Sequence, residues 1–165
     1  CDRLSDLCAK ALSACEGKVA VGATYLAMEG PQFSTRAESR MYRQWGADII
    51  GMTGMPEAKL AREAELPYAL VGMVTDYDCW REGDAVDVAE VVKQMKENGA
   101  LARAMVVKLI ESLPKKRKAS PIDTCLDTAI ITAPEEQDPL VMAKLDAVCS
   151  RLFADEYRAA RIHRH

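Results

Sequence analysis

Three stretches of the sequence set polar or anion-holding residue types beside chain breakers. The first is Thr75-Asp76-Tyr77-Asp78. Side chains two apart on an extended chain point the same way, so Asp76 and Asp78 are expected to converge on one ligand. Two carboxylates in a partly apolar site do not both ionise cheaply, so one of them holds its proton to higher pH. Such a pair accepts a hydrogen bond with one oxygen and donates a proton with another. A purine base asks for that pattern, since an exocyclic amine donates and ring N7 accepts. A solvated Asp-rich turn fits the same spacing.

The second stretch is Met52-Thr53-Gly54-Met55-Pro56, where a hydroxyl and a glycine precede the start of a helix. That combination forms an anion site or a plain turn. The third is Met28 to Thr35, with Gly30-Pro31 as a turn and Phe33-Ser34 before a capped helix. Phe33 either stacks on a flat ligand or staples the helix start. Val88 and Val91 share a helix face, and line either an apolar pocket or ordinary core.

Other chemistries are poorly provided for. The only histidines, His163 and His165, are at the end of the sequence, which removes a Ser-His-Asp arrangement. There is no phosphate-binding G-x-x-x-x-G-K and no G-x-G-x-x-G. The six cysteines, at 1, 8, 15, 79, 125 and 149, form no C-x-x-C, so a zinc site is not expected. They read as reduced, and mostly as small apolar core residues. Cys79 lies among acidic neighbours and has nothing to lower its pKa.

The elements that would position these residues alternate between helix and strand. The chain has 165 residues, 49% hydrophobic and 28% charged, which suits one globular domain. A net charge of −3 and 5% aromatic content argue against nucleic acid as a partner. No apolar run is long enough for a membrane span. Leu4, Leu7, Cys8, Ala11, Leu12 and Cys15 predict an amphipathic first helix, ended at Glu16-Gly17. Strands are expected within 19–28, 47–52 and 68–75, and the last two are apolar on both faces. Thr35 and Glu38 form a capping box for a helix running to Trp45, with Gly46 at its C-cap. Further helices are expected from Pro56, from about Val88 to Leu113, over 121–131 and over 139–153. The tail from Asp155 reads as frayed. Strands alternating with helices predict an α/β fold with a substantially parallel sheet.

The segments MEGPQFSTRAES (28–39), WGADIIGMT (45–53), PEAKLAREAELPYA (56–69) and MVTDYDCW (73–80) resemble the 5′-methylthioadenosine phosphorylase family of the trimeric purine nucleoside phosphorylase class. The resemblance is dense from Tyr25 to Trp80 and looser to Leu113. It implies a three-layer α/β/α fold with a mixed, largely parallel central sheet, of which this chain is the C-terminal part, residues 113–165 being C-terminal helices and tail. It implies phosphorolysis of 5′-methylthioadenosine to adenine and 5-methylthioribose 1-phosphate. Inorganic phosphate is the co-substrate, with no cofactor and no metal. By the same resemblance Phe33 and Ser34 lie at the purine, Met52 by the ribose and Thr53 at the phosphate. Thr75, Asp76 and Asp78 surround the base, with an Asp assisting N7, and Val88 and Val91 line the methylthio pocket. The family is trimeric and cytoplasmic, without nucleic-acid or membrane partners.

The family's glycine-rich phosphate loop and Arg-His pair have no counterpart here, and the chain begins with Cys1. The expected partner is therefore an N-terminal half of the same enzyme, and the chain alone is expected to be inactive. The alternatives are a 6-oxopurine nucleoside phosphorylase and a non-catalytic purine-binding or oligomerisation fragment. Asp76 favours adenine, because 6-oxopurine enzymes usually carry Asn at this place.

Overall fold

The structure is a computed structural model, and the residues it describes are 1–81 and 88–153, Val88 by its backbone alone. Part of the expected 76–87 loop and the tail from Asp155 lie outside the described residues. In chain order the longer elements are α1 (Asp2–Ser13), β1 (Tyr25–Ala27), α2 (Arg36–Gln44), β2 (Ile49–Gly51), α3 (Gly54–Glu63), α4 (Val88–Ser112) and α5 (Pro139–Cys149). They fall into two compact units. One holds Cys1–Pro56 with Ala69–Arg117, and the other Glu57–Tyr68 with Lys118–His165.

In the first unit α1 lays its apolar face on α4. Cys8, Ala11 and Met105 are buried there. Burying a Met side chain contributes roughly 1.5–3 kcal/mol. β1 and β2 pair in parallel, with Tyr25 opposite Ile49, Leu26 opposite Ile50 and Ala27 opposite Gly51. α2 starts at the expected capping box: Thr35 Oγ1 accepts from the Glu38 amide and the Glu38 carboxylate accepts from the Thr35 amide. Those contacts from the Thr35 amide and hydroxyl hold the Glu38 carboxyl below the usual range. The helix ends one residue earlier than expected, with Gly46 at φ +82 beyond it.

Two strand expectations shrink and one fails. Residues 19–28 yield only Tyr25–Ala27, and 47–52 only Ile49–Gly51. The segment 68–75 forms no ladder, although Leu70 lies against Gly54 and Ile49 against Gly72. Its apolar side chains suit a buried strand, but a strand also needs hydrogen-bonding partners for its backbone. Val71, Met73 and Val74 are correspondingly exposed.

In the second unit Glu65 organises the segments. Its carboxylate accepts from Arg151 Nε at 2.6 Å and from the Leu126 amide at 3.2 Å. Arg151 also pairs with Asp127. The expected helix over 121–131 is a single 3₁₀ turn, Pro121–Thr124. The Leu126 N–H, which an α-helix would give to the carbonyl of Ile122, goes to Glu65 instead. α5 is capped by Asp138, which accepts from the Leu140 amide at 2.7 Å, and Pro139 opens the helix. Met142 and Phe153 are buried.

All six cysteines are free thiols. Only Cys8 is buried, where burial pushes its thiol up. The expectation of core cysteines holds for that residue alone. The other five sit at exposed or half-buried positions. Among the described residues no helix is long and apolar enough to cross a membrane.

Candidate active site

The candidate residues belong to the first unit and gather where β1 and β2 end. Both strands run the same way, so their C-terminal ends share one edge, where open α/β sheets bind ligands. The Met28 amide extends the ladder by donating to the Gly51 carbonyl at 2.9 Å. The chain then turns through Gly30, at φ +78. A Cβ on Gly30 would lie 2.2 Å from the Met52 methyl, so Met52 packs directly over this turn. Ser34 follows, its hydroxyl 3.4 Å from the Met28 sulfur. The Phe33 ring is 84% exposed.

Thr53 is exposed just past β2. The helix expected from Pro56 forms there. α3 is broken at Met55 (φ −118, ψ 135), so its regular turns begin at Pro56, which has no N–H. The amides of Thr53 and Gly54 do not face outward for an anion. They donate to the Tyr25 hydroxyl at 3.3 and 3.2 Å. What Thr53 offers a ligand is its side-chain hydroxyl.

The acidic segment is ordered by its own hydrogen bonds. Asp76 accepts from the Thr75 hydroxyl at 2.7 Å with one oxygen and from the Asp78 amide at 2.9 Å with the other. Asp76 is exposed. Each of its oxygens keeps a lone pair for a further donor. Asp78 does not follow the expected alternation. Its φ is +62, so the chain leaves the extended conformation on which that alternation rests. Asp78 Oδ2 instead accepts from the Ser39 hydroxyl and Oδ1 from the Cys79 amide at 2.8 Å. The Cys79 thiol donates to the Ser34 carbonyl at 3.3 Å, tying this segment to the turn after β1.

α4 reaches the same edge through Asn98, whose amide donates to the Val74 carbonyl at 2.8 Å. Val91 is half-buried on that helix. Val88 is helical, but its side chain lies outside the described residues. Hydrogen bonds join Thr75, Asp76 and Asp78 to one another and, through Cys79, join this segment to Ser34, while Met52 packs over the Gly30 turn. Phe33 and Thr53 stand at the same edge with exposed side chains.

Sequence reasoning missed Tyr25, Ser39, Cys79 and Asn98. One signal was available for Ser39: it is a small hydroxyl residue flanked by Glu38 and Arg40, one turn after the capping Thr35. Beside the acidic segment, Arg43 stacks on Trp80 at 3.6 Å and Arg81 on Tyr77 at 4.2 Å. A shallow depression of about 490 Å³ is lined by Arg40, Arg43, Gln44 and Trp80 and takes in none of the candidate residues. Among the described residues no group of three or more His, Cys, Asp or Glu could hold a metal ion.

Chemically, the candidate residues offer an ordered carboxylate at Asp76, an exposed aromatic ring at Phe33 and an exposed hydroxyl at Thr53. That set can hydrogen-bond a polar heterocycle and cover its face.

Comparison with known proteins adds sequence relatives. A family model described as the phosphorylase superfamily matches residues 1–111. An S-methyl-5′-thioadenosine phosphorylase of Bradyrhizobium diazoefficiens is 52% identical over 138 residues, covering 82% of this chain and 47% of the relative. The enzyme of the same name from Cereibacter sphaeroides is 51% identical, covering 93% and 54%. The crystal structure of a methylthioadenosine phosphorylase sourced from an antarctic soil metagenomic library superposes with a TM-score of 0.80 at 37% identity, covering 93% of this chain and 54% of that one. The Schistosoma mansoni methylthioadenosine phosphorylase in complex with adenine gives 0.66 at 28% identity, covering 75% and 49%. The chain spans about half the length of the curated relatives it matches.

Proposed function

The chain belongs to the phosphorylase superfamily, and from that premise we propose that it carries the purine- and ribose-facing part of a 5′-methylthioadenosine phosphorylase. Both units are read as parts of one phosphorylase domain of the three-layer α/β/α type, completed by the half that the relatives have in addition. The single observation that carries the reading is the outward, doubly ordered Asp76 carboxylate at the shared strand edge.

The reaction is phosphorolysis. A phosphate oxygen bonds to ribose C1′ as the C1′–N9 bond breaks, and the electron pair passes to the purine. Adenine leaves more readily as N7 gains a proton. Asp76 meets the N7 edge of the base, accepting from the exocyclic amine and from N7–H once N7 has taken its proton. Thr75 fixes the Asp76 rotamer. Asp78 has both oxygens engaged by Ser39 and Cys79, so it shapes the loop and touches the base only if those partners release it. Phe33 and Ser34 cover the purine, Met52 packs under the ribose, and Val88 and Val91 border the 5′ group. The Thr53 hydroxyl donates to phosphate. Charge neutralisation at the leaving base and an anion beside the ribose both favour an oxocarbenium-like transition state. Inorganic phosphate is a co-substrate, and the chemistry asks for no cofactor. The working form is a cytoplasmic trimer.

The test uses a chimera in which this chain replaces the aligned segment of the Bradyrhizobium diazoefficiens relative. Asp76→Asn in it should shift preference from methylthioadenosine toward the 6-oxo analogue, because a lost polar pair discriminates steeply. Unchanged preference would remove Asp76 from base recognition.

A further inference from the structure

Ser39 is 2% exposed and is the one buried polar residue among those described. It lies on α2, four residues after the capping Thr35, so its position is fixed by a helix with a defined start. Its hydroxyl donates to Asp78 Oδ2 and lies 3.4 Å from the Cys79 sulfur. From there the hydrogen bonds run outward without a gap. The Asp78 amide donates to Asp76 Oδ1, and the Thr75 hydroxyl to Asp76 Oδ2. Asp78 itself holds a backbone conformation, φ +62, that an L-residue rarely adopts. Something must favour that conformation over the extended one. The Ser39 hydroxyl does so by holding the Asp78 carboxylate inward, with the Cys79 amide on its other oxygen.

We propose that Ser39 is a positioning residue: by holding Asp78 from inside α2 it fixes the turn that aims the Asp76 carboxylate at the purine. This inference rests on the phosphorolysis reading, in which Asp76 meets the base. Without the hydroxyl, the half-buried Asp78 oxygen loses its donor and the extended conformation becomes competitive. The Asp78 amide then swings away, and Asp76 loses one of its two internal donors. Ground-state binding of the nucleoside uses other contacts as well, so the loss falls on the chemical step.

Two measurements separate the inference from the reading beneath it. The first is residue-resolved amide hydrogen exchange on the chain itself, with no turnover involved. Ser39→Ala should accelerate exchange at Asp78 and Cys79, while amides in the middle of α2 keep their protection. The second is steady-state phosphorolysis of methylthioadenosine by the chimera. Ser39→Ala should lower kcat roughly tenfold to a hundredfold with a much smaller change in KM. Ser39→Thr, which keeps the hydroxyl, should restore most of kcat. Unchanged exchange at Asp78 would overturn the inference. So would general loss of α2 protection, an effect confined to KM, or a Thr variant no better than Ala. An inactive chimera with unsubstituted Ser39 would contradict the phosphorylase reading instead, and the exchange result would still judge the Ser39–Asp78 link.

Discussion

Tyr25→Phe removes one oxygen and leaves a ring of the same shape. The ring is wedged between two glycines. A Cβ at Gly51 would lie 2.4 Å from the Tyr25 hydroxyl oxygen, and one at Gly54 would lie 2.7 Å from its Cε1. The phenylalanine ring therefore stays in place, and the change reports on the hydroxyl alone. That hydroxyl accepts from the Thr53 and Gly54 amides at 3.3 and 3.2 Å. Thr53 is exposed, so water replaces the lost acceptor there at little cost. Gly54 is buried, and its N–H is left without a partner. An unsatisfied buried donor costs about 1–3 kcal/mol, and bonds this long belong in the lower part of that range. At about 1–2 kcal/mol, exchange of the Gly54 amide should rise roughly 5- to 30-fold. Thr53 should change far less, and α2 not at all. The assay is residue-resolved hydrogen exchange on the chain with and without the substitution. Unchanged exchange at Gly54, or equal acceleration throughout the first unit, would refute the assignment of Tyr25 as the acceptor at the end of β2.

Thr53→Val in the chimera keeps the side-chain shape and removes the hydroxyl. Apparent phosphate affinity should fall by about 1.5–3 kcal/mol, with nucleoside binding in the absence of phosphate nearly unchanged; equal phosphate dependence would leave Thr53 as a plain turn residue. In the second unit, Arg151 and the Leu126 amide hold the Glu65 carboxyl below its usual range, Arg151 making the larger contribution. A carboxylate with a lowered folded pKa stabilises above its unfolded value, ordinarily about 4.3, and loses that contribution as pH falls through the folded value. Protection of the Leu126 amide, corrected for intrinsic exchange, should therefore be full at neutral pH and decline below about pH 4.3. Glu65→Gln should abolish that pH dependence, and an unchanged profile would show that Glu65 does not hold this turn.

Local chemistry was the most legible part of the sequence. Thr35 and Glu38 marked the start of α2, and Gly46 its end, because capping needs only neighbouring residues. The long periodicity from Val88 marked α4. An apolar run followed by Thr75 and Asp76 reads as a strand end, although 68–75 forms no ladder. The geometry of the acidic segment was not legible. Asp78 leaves the extended conformation because of Ser39, 39 residues earlier, and no local pattern records such a contact. Segment 68–75 read as a strand from its side chains, yet it gains no ladder, since pairing depends on a neighbour that sequence pattern does not supply. The helix expected over 121–131 was likewise interrupted by Glu65, more than fifty residues away. The backbone at Thr53 was not legible for a similar reason: Tyr25, on the neighbouring strand, takes the Thr53 and Gly54 amides, which leaves the Thr53 hydroxyl for an anion.

The central claim is that this chain holds the base-recognition edge of a methylthioadenosine phosphorylase and works when the remaining half is supplied. The direct measurement is adenine release from 5′-methylthioadenosine, followed by chromatography with and without inorganic phosphate. It compares the chain alone with the chimera built on the Bradyrhizobium diazoefficiens relative. The account predicts no turnover by the chain alone. It predicts phosphate-dependent adenine release by the chimera, with one 5-methylthioribose 1-phosphate formed per adenine. A folded chimera that releases no adenine, or a chain that turns over fully by itself, would contradict it.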